Sequence, residues 1–442
     1  MAKFRFRIPG AVSAVWAAAV LLLPLQAANA ADLGGNCCAD LEERIAELEA
    51  TTARKGNRKV TLTISGYVAE EITAWDDGGE QNIYTHGLGP TQTTHVKFNG
   101  QAQISPGWTA GYMLRLQALQ DNPFSRDAAT GNAMTQNSPR FDQGINVQMS
   151  YWFLQSKDLG KISVGKQALS AKSAAMFTDQ SGTQIFDNYT FLAGFPQFAI
   201  RSGGDLSPAN LTWGQLAFCY NQNLPIGGDC NGIVMSGIRY DTPVIAGFAA
   251  SASWGEDDVW EVAGRYTGEL SGFKVSLGIG YSESKDETAA TGPLQFHKDA
   301  EVFQAGGYIQ HLATGLFLHG AYGQENNNNS VLLNGKIAPD SDHFYFKGGI
   351  RQKWTSLGAT IVYGDYAEYH DQLGPAALAL GATSSTLTRY GGGIAQEIDA
   401  AAMTIYLKYQ HYDASIAGAK LSPLVADLDN LDMVSMGALI NF

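Results

Sequence analysis

The chain has 442 residues, 45% of them hydrophobic, with 50 glycines, 11% aromatics and a formal charge of −13. So acidic a chain has no electrostatic footprint for nucleic acid, and past the N-terminus no apolar run is long enough for a membrane-spanning helix. A transmembrane β-barrel has this soluble-looking average, because alternate residues face lipid and water.

The chain opens on Lys3, Arg5 and Arg7, runs through AVSAVWAAAVLLLPL, and reaches Ala28-Asn29-Ala30, an A-x-A cleavage site before Ala31. This predicts an export signal over residues 1–30; the apolar stretch is too short for a helical anchor. Its removal takes away three basic residues and no acids, moving the formal charge from −13 to −16. A lipoprotein is disfavoured, since Asn36 stands before Cys37 where a small residue is expected.

Residues 31–58 then read as a short periplasmic helix and linker. In CADLEERIAELEAT, Cys38, Leu41, Ile45, Leu48 and Thr52 recur at alternating steps of three and four, with Arg44 and Glu49 at g and the following e. A coiled coil between parallel chains and an amphipathic helix lying on another surface both fit that seam. ARKGNRK forms a basic, polar break after it.

From Lys59 to Phe442 the period is two. Val60, Leu62, Ile64 and Val68 alternate with Thr61, Thr63, Ser65 and Tyr67; Val96, Phe98, Ala102 and Ile104 oppose His95, Lys97, Asn99 and Gln101. Met403, Ile405, Leu407 and Tyr409 oppose Thr404, Tyr406, Lys408 and Gln410. Sixteen such segments begin near Lys59, Thr93, Trp108, Gly144, Lys161, Asn231, Val244, Asp258, Phe273, Glu301, Leu316, His343, Leu357, Thr388, Ala401 and Leu431. Their connectors alternate short (SPG, KDLG, DTP, GELSG, ATG, WTS) and long. An all-β, 16-stranded antiparallel transmembrane barrel requires that alternation, with tight periplasmic turns and longer external loops. Trp75, Trp108, Trp254, Trp260 and Trp354 fall at strand ends, where an interfacial aromatic girdle belongs.

One connector, Ala168 to Cys230, holds about sixty residues, a length uncommon without a function. Sixteen strands leave a lumen wide enough for an open channel, and a long third loop folded inward would narrow it. Cys219 and Cys230 bracket YNQNLPIGGD and read as a loop-closing disulfide in an oxidising compartment. The alternative, a metal site, lacks further Cys or His nearby to complete a ligand set. Cys37 and Cys38 fit either cross-links between protomers or free thiols.

Three stretches carry a family resemblance: LGKISVGKQ, SGIRYDTPVIAGFAASASWGEDD, and the terminal strand LDMVSMGALINF with its final Phe442. They resemble the general trimeric porins of Gram-negative outer membranes, most of all alphaproteobacterial members with a helical N-terminal extension. Lys166 stands where that family often has Arg, a point charge without the planar fork. The resemblance implies a homotrimer in outer-membrane lipid, an inward-folded third loop and passive diffusion of ions and small hydrophilic solutes. It also implies that the barrel assembly machinery reads Phe442.

Function in such a pore lies in charge placed on a water-filled wall. Strand parity puts Lys97, Arg115, Arg239, Arg265, Lys274, Lys347, Arg351, Lys353, Arg389 and Lys408 on the lumen side. Inward acids are few on these strands, Glu261 being the clearest, and the long loop supplies Asp179, Asp187 and Asp205. A basic wall facing an acidic loop would create a transverse field across the constriction, with Arg115, Lys347, Arg351 and Lys408 at mid-strand as its core. Each of these residues taken singly is also an ordinary polar lining side chain. No HExxH, G-x-S-x-G, P-loop or dinucleotide fingerprint occurs, so neither an enzyme nor a cofactor or metal is expected. Two other readings stand beside the diffusion pore: a substrate-selective channel, and an envelope tether reaching peptidoglycan through the N-terminal helix.

Overall fold

A computed structural model describes residues 60–88, 92–119, 144–190, 198–207, 211–222, 227–232, 234–256, 258–286, 295–328, 330–332, 335–418 and 428–442. The export signal, the amphipathic helix and the vicinal cysteines expected within residues 1–58 lie outside these. The described chain belongs to a single unit, Lys59–Phe442.

Sixteen antiparallel strands close into one barrel. The first five are β1 (Thr61–Asp76), β2 in two pieces (Gln81–Gly87 and His95–Ser105), β3 (Trp108–Leu119), β4 (Gly144–Ser156) and β5 (Gly160–Gln167). After the long loop come β6 (Met235–Asp241), β7 (Phe248–Gly255), β8 (Val259–Leu270), β9 (Phe273–Asp286), β10 (Gln295–His311) and β11 (Leu316–Asn326). The circuit finishes with β12 (Ser341–Gln352), β13 (Thr360–His370), β14 (Ser384–Ile398), β15 (Met403–Ala417) and β16 (Leu431–Asn441). Each strand pairs with its sequence neighbour, and β1 closes on β16 in a register running from Tyr67↔Asn441 to Asp76↔Asp432. Closure leaves no free edge, so the backbone groups that cross the membrane are paired within the sheet.

The strand starts match the expected ones to within a few residues, apart from the upper piece of β2 and from β10, which begins at Gln295 and not near Glu301. Gln81–Gly87 pairs with the second half of β1, from Glu70↔Gly87 to Asp76↔Gln81, while His95–Ser105 pairs with the first half. Gly87, Gly89 and Pro90 break the alternation between the two pieces, which makes the upper one read as loop. Across the break the Ala69 amide donates to Thr94 Oγ1 at 3.1 Å, so the missing ladder bond is replaced by a side chain.

The turns at one end are short. The turn between β2 and β3 depends on Gly107, whose φ of +79° is closed to most side chains. Outward positions form the apolar band: Ile238, Val262, Ile279, Leu318, Val362 and Ile405 are all exposed. Trp254, Trp260 and Trp354 are exposed and join that surface as a girdle requires. Trp75 does not. It shares the inward side of β1 with Tyr67, Ala69, Glu71 and Thr73, is buried, and meets Phe198 edge-on at 4.8 Å.

Inside the barrel the fold departs most from a hollow tube. The long loop leaves β5 and returns to β6, its immediate neighbour, after lining the interior. Its Phe198, Ile200, Trp213, Leu216, Phe218 and Tyr220 form one buried cluster with wall residues Tyr345, Tyr369, Leu387, Tyr412, Leu431 and Met433. The inner face of β12–β16 toward the long loops is therefore a packed apolar interface, not a water-washed wall. A short helix, α1 (Pro375–Ala379), closes over it: the Ala376 amide donates to Gln215 Oε1 at 2.9 Å. Cys219 and Cys230 are disulfide-bonded, S–S 2.04 Å, on the loop's return leg.

Candidate functional site

The loop is held to the wall by charge. Lys347 on β12 is buried and donates through Nζ to Asp179 Oδ2 at 2.9 Å, to Thr183 Oγ1 at 2.7 Å and to the Asp187 carbonyl at 2.7 Å. Arg389 on β14, fully buried, donates to the Asn188 carbonyl at 2.6 Å and to Asp187 Oδ1 at 2.8 Å, and also pairs with Asp365 of β13. Lys408 on β15 donates to the Phe186 carbonyl at 2.7 Å and lies 3.1 Å from Glu71 Oε2. Asp187 also accepts from Tyr363 Oη at 2.7 Å and Gln410 Nε2 at 3.2 Å. Phe186 stacks on Tyr406, centroids 4.0 Å apart and nearly coplanar.

Buried charge is tolerated when it is paired, and each of the three cations here has a carboxylate partner. Burial alone would raise the two loop carboxyls. The cations beneath reverse that, Lys347 for Asp179 and Arg389 for Asp187, and hold both below the usual carboxylate range.

This placement revises the expected transverse field. Lys347, Arg389 and Lys408 are inward-facing, but the loop covers them, and Asp179 and Asp187 point back at the wall. Asp205 is exposed in a small ribbon, Arg201–Ser202 against Asp205–Leu206. There Arg201 bridges Asp77 and Glu80 of the β1–β2 connection at 2.9 and 3.0 Å. Inward acids are also more numerous than strand reading suggested. Glu71, Asp365 and Glu397 join Glu261, whose Oε2 accepts the Ala171 amide at 2.6 Å.

The remaining cations divide into two sets. Arg351 pairs with Glu397 at 2.6 Å, Lys353 with Asp399 at 3.0 Å on the short-turn rim, and Arg239 with Asp241. Arg239 also donates to the Ala168 and Leu169 carbonyls at 3.0 and 3.2 Å, gripping the loop where it leaves β5. Lys97 and Arg115 stand opposite one another across β2–β3, half-buried, and neither has a carboxylate partner among the described residues. Arg265 is bonded to Ser251 Oγ at 3.1 Å and to the Ser170 carbonyl at 2.5 Å, again without a carboxylate in ion-pair range. Lys274 is inward and half-buried on β9, opposite Glu269.

On the first leg of the loop, residues 171–190, Lys172, Phe177, Gln180, Gly182, Gln184 and Ile185 keep exposure and none is acidic; the exposed acid among the loop's described residues is Asp205 in its ribbon. Lys172 was not among the expected site residues; periodicity reports on strands and says nothing about a side chain in an irregular loop. Burial lowers its pKa to about 8, with Asp229 opposing the shift and Arg115 adding to it. Lys166 is exposed on the same side of the wall as Trp152 and Ile162, where Nζ donates to the Val147 carbonyl at 3.1 Å. Among the described residues, the one group of three potential metal ligands is Cys219, Cys230 and Glu325, and its two sulfurs are committed to the disulfide.

A family model described as Gram-negative porin matches residues 17–430. No curated protein matches the chain in sequence. Similar solved structures include an anion-selective porin from Comamonas acidovorans, at 16% identity and TM-score 0.54, covering 87% of this chain and 100% of that one. OmpF of Salmonella typhi in complex with daunomycin has 12% identity and TM-score 0.51, with 87% and 98% covered. The outer-membrane channel DcaP of Acinetobacter baumannii has 8% identity and TM-score 0.51, with 88% and 100% covered. At these identities the similarity is one of fold.

Proposed function

We propose an anion-preferring diffusion pore, and the premise is that this chain belongs to the Gram-negative porin family. It is an outer-membrane channel for passive diffusion. The observation that supports the anion preference is the direction of the loop acids. Asp179 and Asp187 are spent on Lys347 and Arg389 beneath the loop. The cations left partly open are Lys97, Arg115, Arg265 and Lys172, none of them ion-paired to a carboxylate among the described residues. Focused positive potential over a narrow aqueous path favours anion entry. The channel is read as one without catalytic chemistry.

The parts outside the described residues enter this reading as follows. Residues 1–30 are read as the export signal, and residues 31–58, whose sequence has the spacing of an amphipathic helix or coiled coil, as the support of a homotrimer. The basic break before Lys59 suits contact with peptidoglycan, so the chain also tethers the envelope. Phe442 is read by the assembly machinery.

Lys97→Glu with Arg115→Glu tests the charge assignment. In planar bilayers across a salt gradient, the double variant should move the reversal potential toward the cation side while conductance persists. A reversal potential unmoved by two charge inversions would overturn it.

A further inference from the structure

The inward glycines of β9 and β10 are more numerous than a water-washed wall needs. Gly278 and Gly306 are directly opposite one another across these strands, and Gly280 lies two residues along from Gly278. Over them runs the first leg of the long loop, which turns tightly: the amides of Ala174, Phe177 and Thr178 donate to the Ala171, Ser173 and Ala175 carbonyls at 3.2, 3.0 and 3.2 Å. A Cβ on Gly278 would fall 2.3 Å from the Ala174 carbonyl oxygen, and one on Gly306 2.6 Å from that of Ala175. A Cβ on Gly280 would meet the Ala174 and Ala171 methyls at 2.9 and 3.1 Å. At one end of this contact Leu169 lies against Gly237 and Gly255, 3.0 Å from the Cβ position of each. At the other, Thr178 packs on Gly278 and Gly306 and its hydroxyl is 3.0 Å from His319 Nε2.

We infer that Gly278, Gly280 and Gly306 are positioning residues that set the bore of the channel by fixing how closely the loop backbone lies against the wall. The argument is steric. Two of the three contacts are with backbone carbonyls, which cannot rotate away as a side-chain tip can. The wall behind is a hydrogen-bonded sheet, tied to its neighbours on both sides, so the loop is the part that must move. It can move only into the lumen. Relieving a 2.3 Å contact to an ordinary 3.4 Å displaces the Ala171–Thr178 leg by roughly 1 Å toward the water path. That leg carries Lys172 and Phe177, so the glycine seat also sets how far these two reach. Small residues face each other across the contact: glycine on the wall, alanine at 171, 174 and 175 on the loop. This inference rests on the reading that the loop narrows a conducting channel.

The test compares Gly278→Ala, Gly280→Ala, and Gly280→Ala combined with Ala174→Gly, each refolded and recorded as single channels in KCl. Gly278→Ala should lower conductance by roughly 1.5-fold, and the flux of larger neutral sugars should fall more steeply than that of salt. Gly280→Ala should give a smaller drop, and Ala174→Gly should restore part of it, because it removes the nearer of the two opposing methyls. Wild-type conductance and sugar cut-off in Gly278→Ala would overturn the inference, as would a raised conductance. So would failure of Ala174→Gly to move Gly280→Ala toward wild type; that pair decides alone if Gly278→Ala does not fold. An absence of conductance in the wild-type protein would instead strike the channel reading itself.

Discussion

Asp187→Ala removes the acceptor on which three buried donors converge: Arg389, Tyr363 and Gln410. Arg389 keeps Asp365 and the Asn188 carbonyl, so it is not stranded. Tyr363 and Gln410 lose a partner in a site closed to water, at about 1–3 kcal/mol for each unsatisfied group. Breaking a buried ion pair costs about 3–5 kcal/mol, so the loop should be held less tightly by about that amount. If the barrel wall stays intact, this loss appears as local opening of the loop, with its open population raised on the order of 100- to 4,000-fold. Hydrogen exchange read by mass spectrometry separates the two regions. The amides of Phe186 and Asp187, both bonded to the Thr183 carbonyl, should lose protection by that factor while β15 and β16 keep theirs. A change below about fivefold, roughly 1 kcal/mol, would show that the ionic cluster does not hold the loop.

Because Asp179 and Asp187 are held below the ordinary carboxylate range, their contribution to loop seating is complete at neutral pH. It is lost only as the pH falls from about 4 through their depressed values. Loop protection should therefore be level from pH 7 to 5 and collapse below about 4; a loss centred near pH 6 would assign the seating to histidine instead. Lys172, lowered to about 8, is protonated at pH 7 and loses charge on raising the pH to 9. Anion preference should weaken over that interval, and Lys172→Met should show the weaker preference at both ends. An interval effect unchanged in Lys172→Met would place the titrating group elsewhere. Phe442 donates and accepts main-chain bonds with Gly66 at 3.1 and 2.9 Å, sealing β16 to β1. Its deletion should reduce the yield of inserted barrels while leaving single-channel conductance at the wild-type value. A changed conductance with normal yield would contradict that assignment.

The barrel was legible because its rule is local: one face apolar, one polar, for sixteen strands, with turn residues between. The same parity placed Lys347, Arg389 and Lys408 on the inner side. What parity cannot say is what lies on that side. A residue facing inward meets either water or another part of the chain, and here a long loop with its own apolar cluster decides the matter. Asp179 and Asp187 sit in irregular backbone, where no period fixes the direction of a side chain, so their turn toward the wall was not readable. Trp75 shows the same limit from the other direction: an aromatic at a strand end suits an outer girdle, but its strand parity sends it inward to Phe198. Glu71 and Asp365 are legible in the sequence, since each alternates with inward neighbours, and the expectation that Glu261 is the clearest of few inward acids undercounts them.

The zero-current potential of wild-type channels across a tenfold KCl gradient tests the central claim most directly. With the loop carboxylates bound to the wall and Lys97, Arg115, Arg265 and Lys172 left partly open, it should fall on the chloride side of zero. A potential on the potassium side would mean that the water-facing charge is negative and that the pairing of the loop acids does not set selectivity.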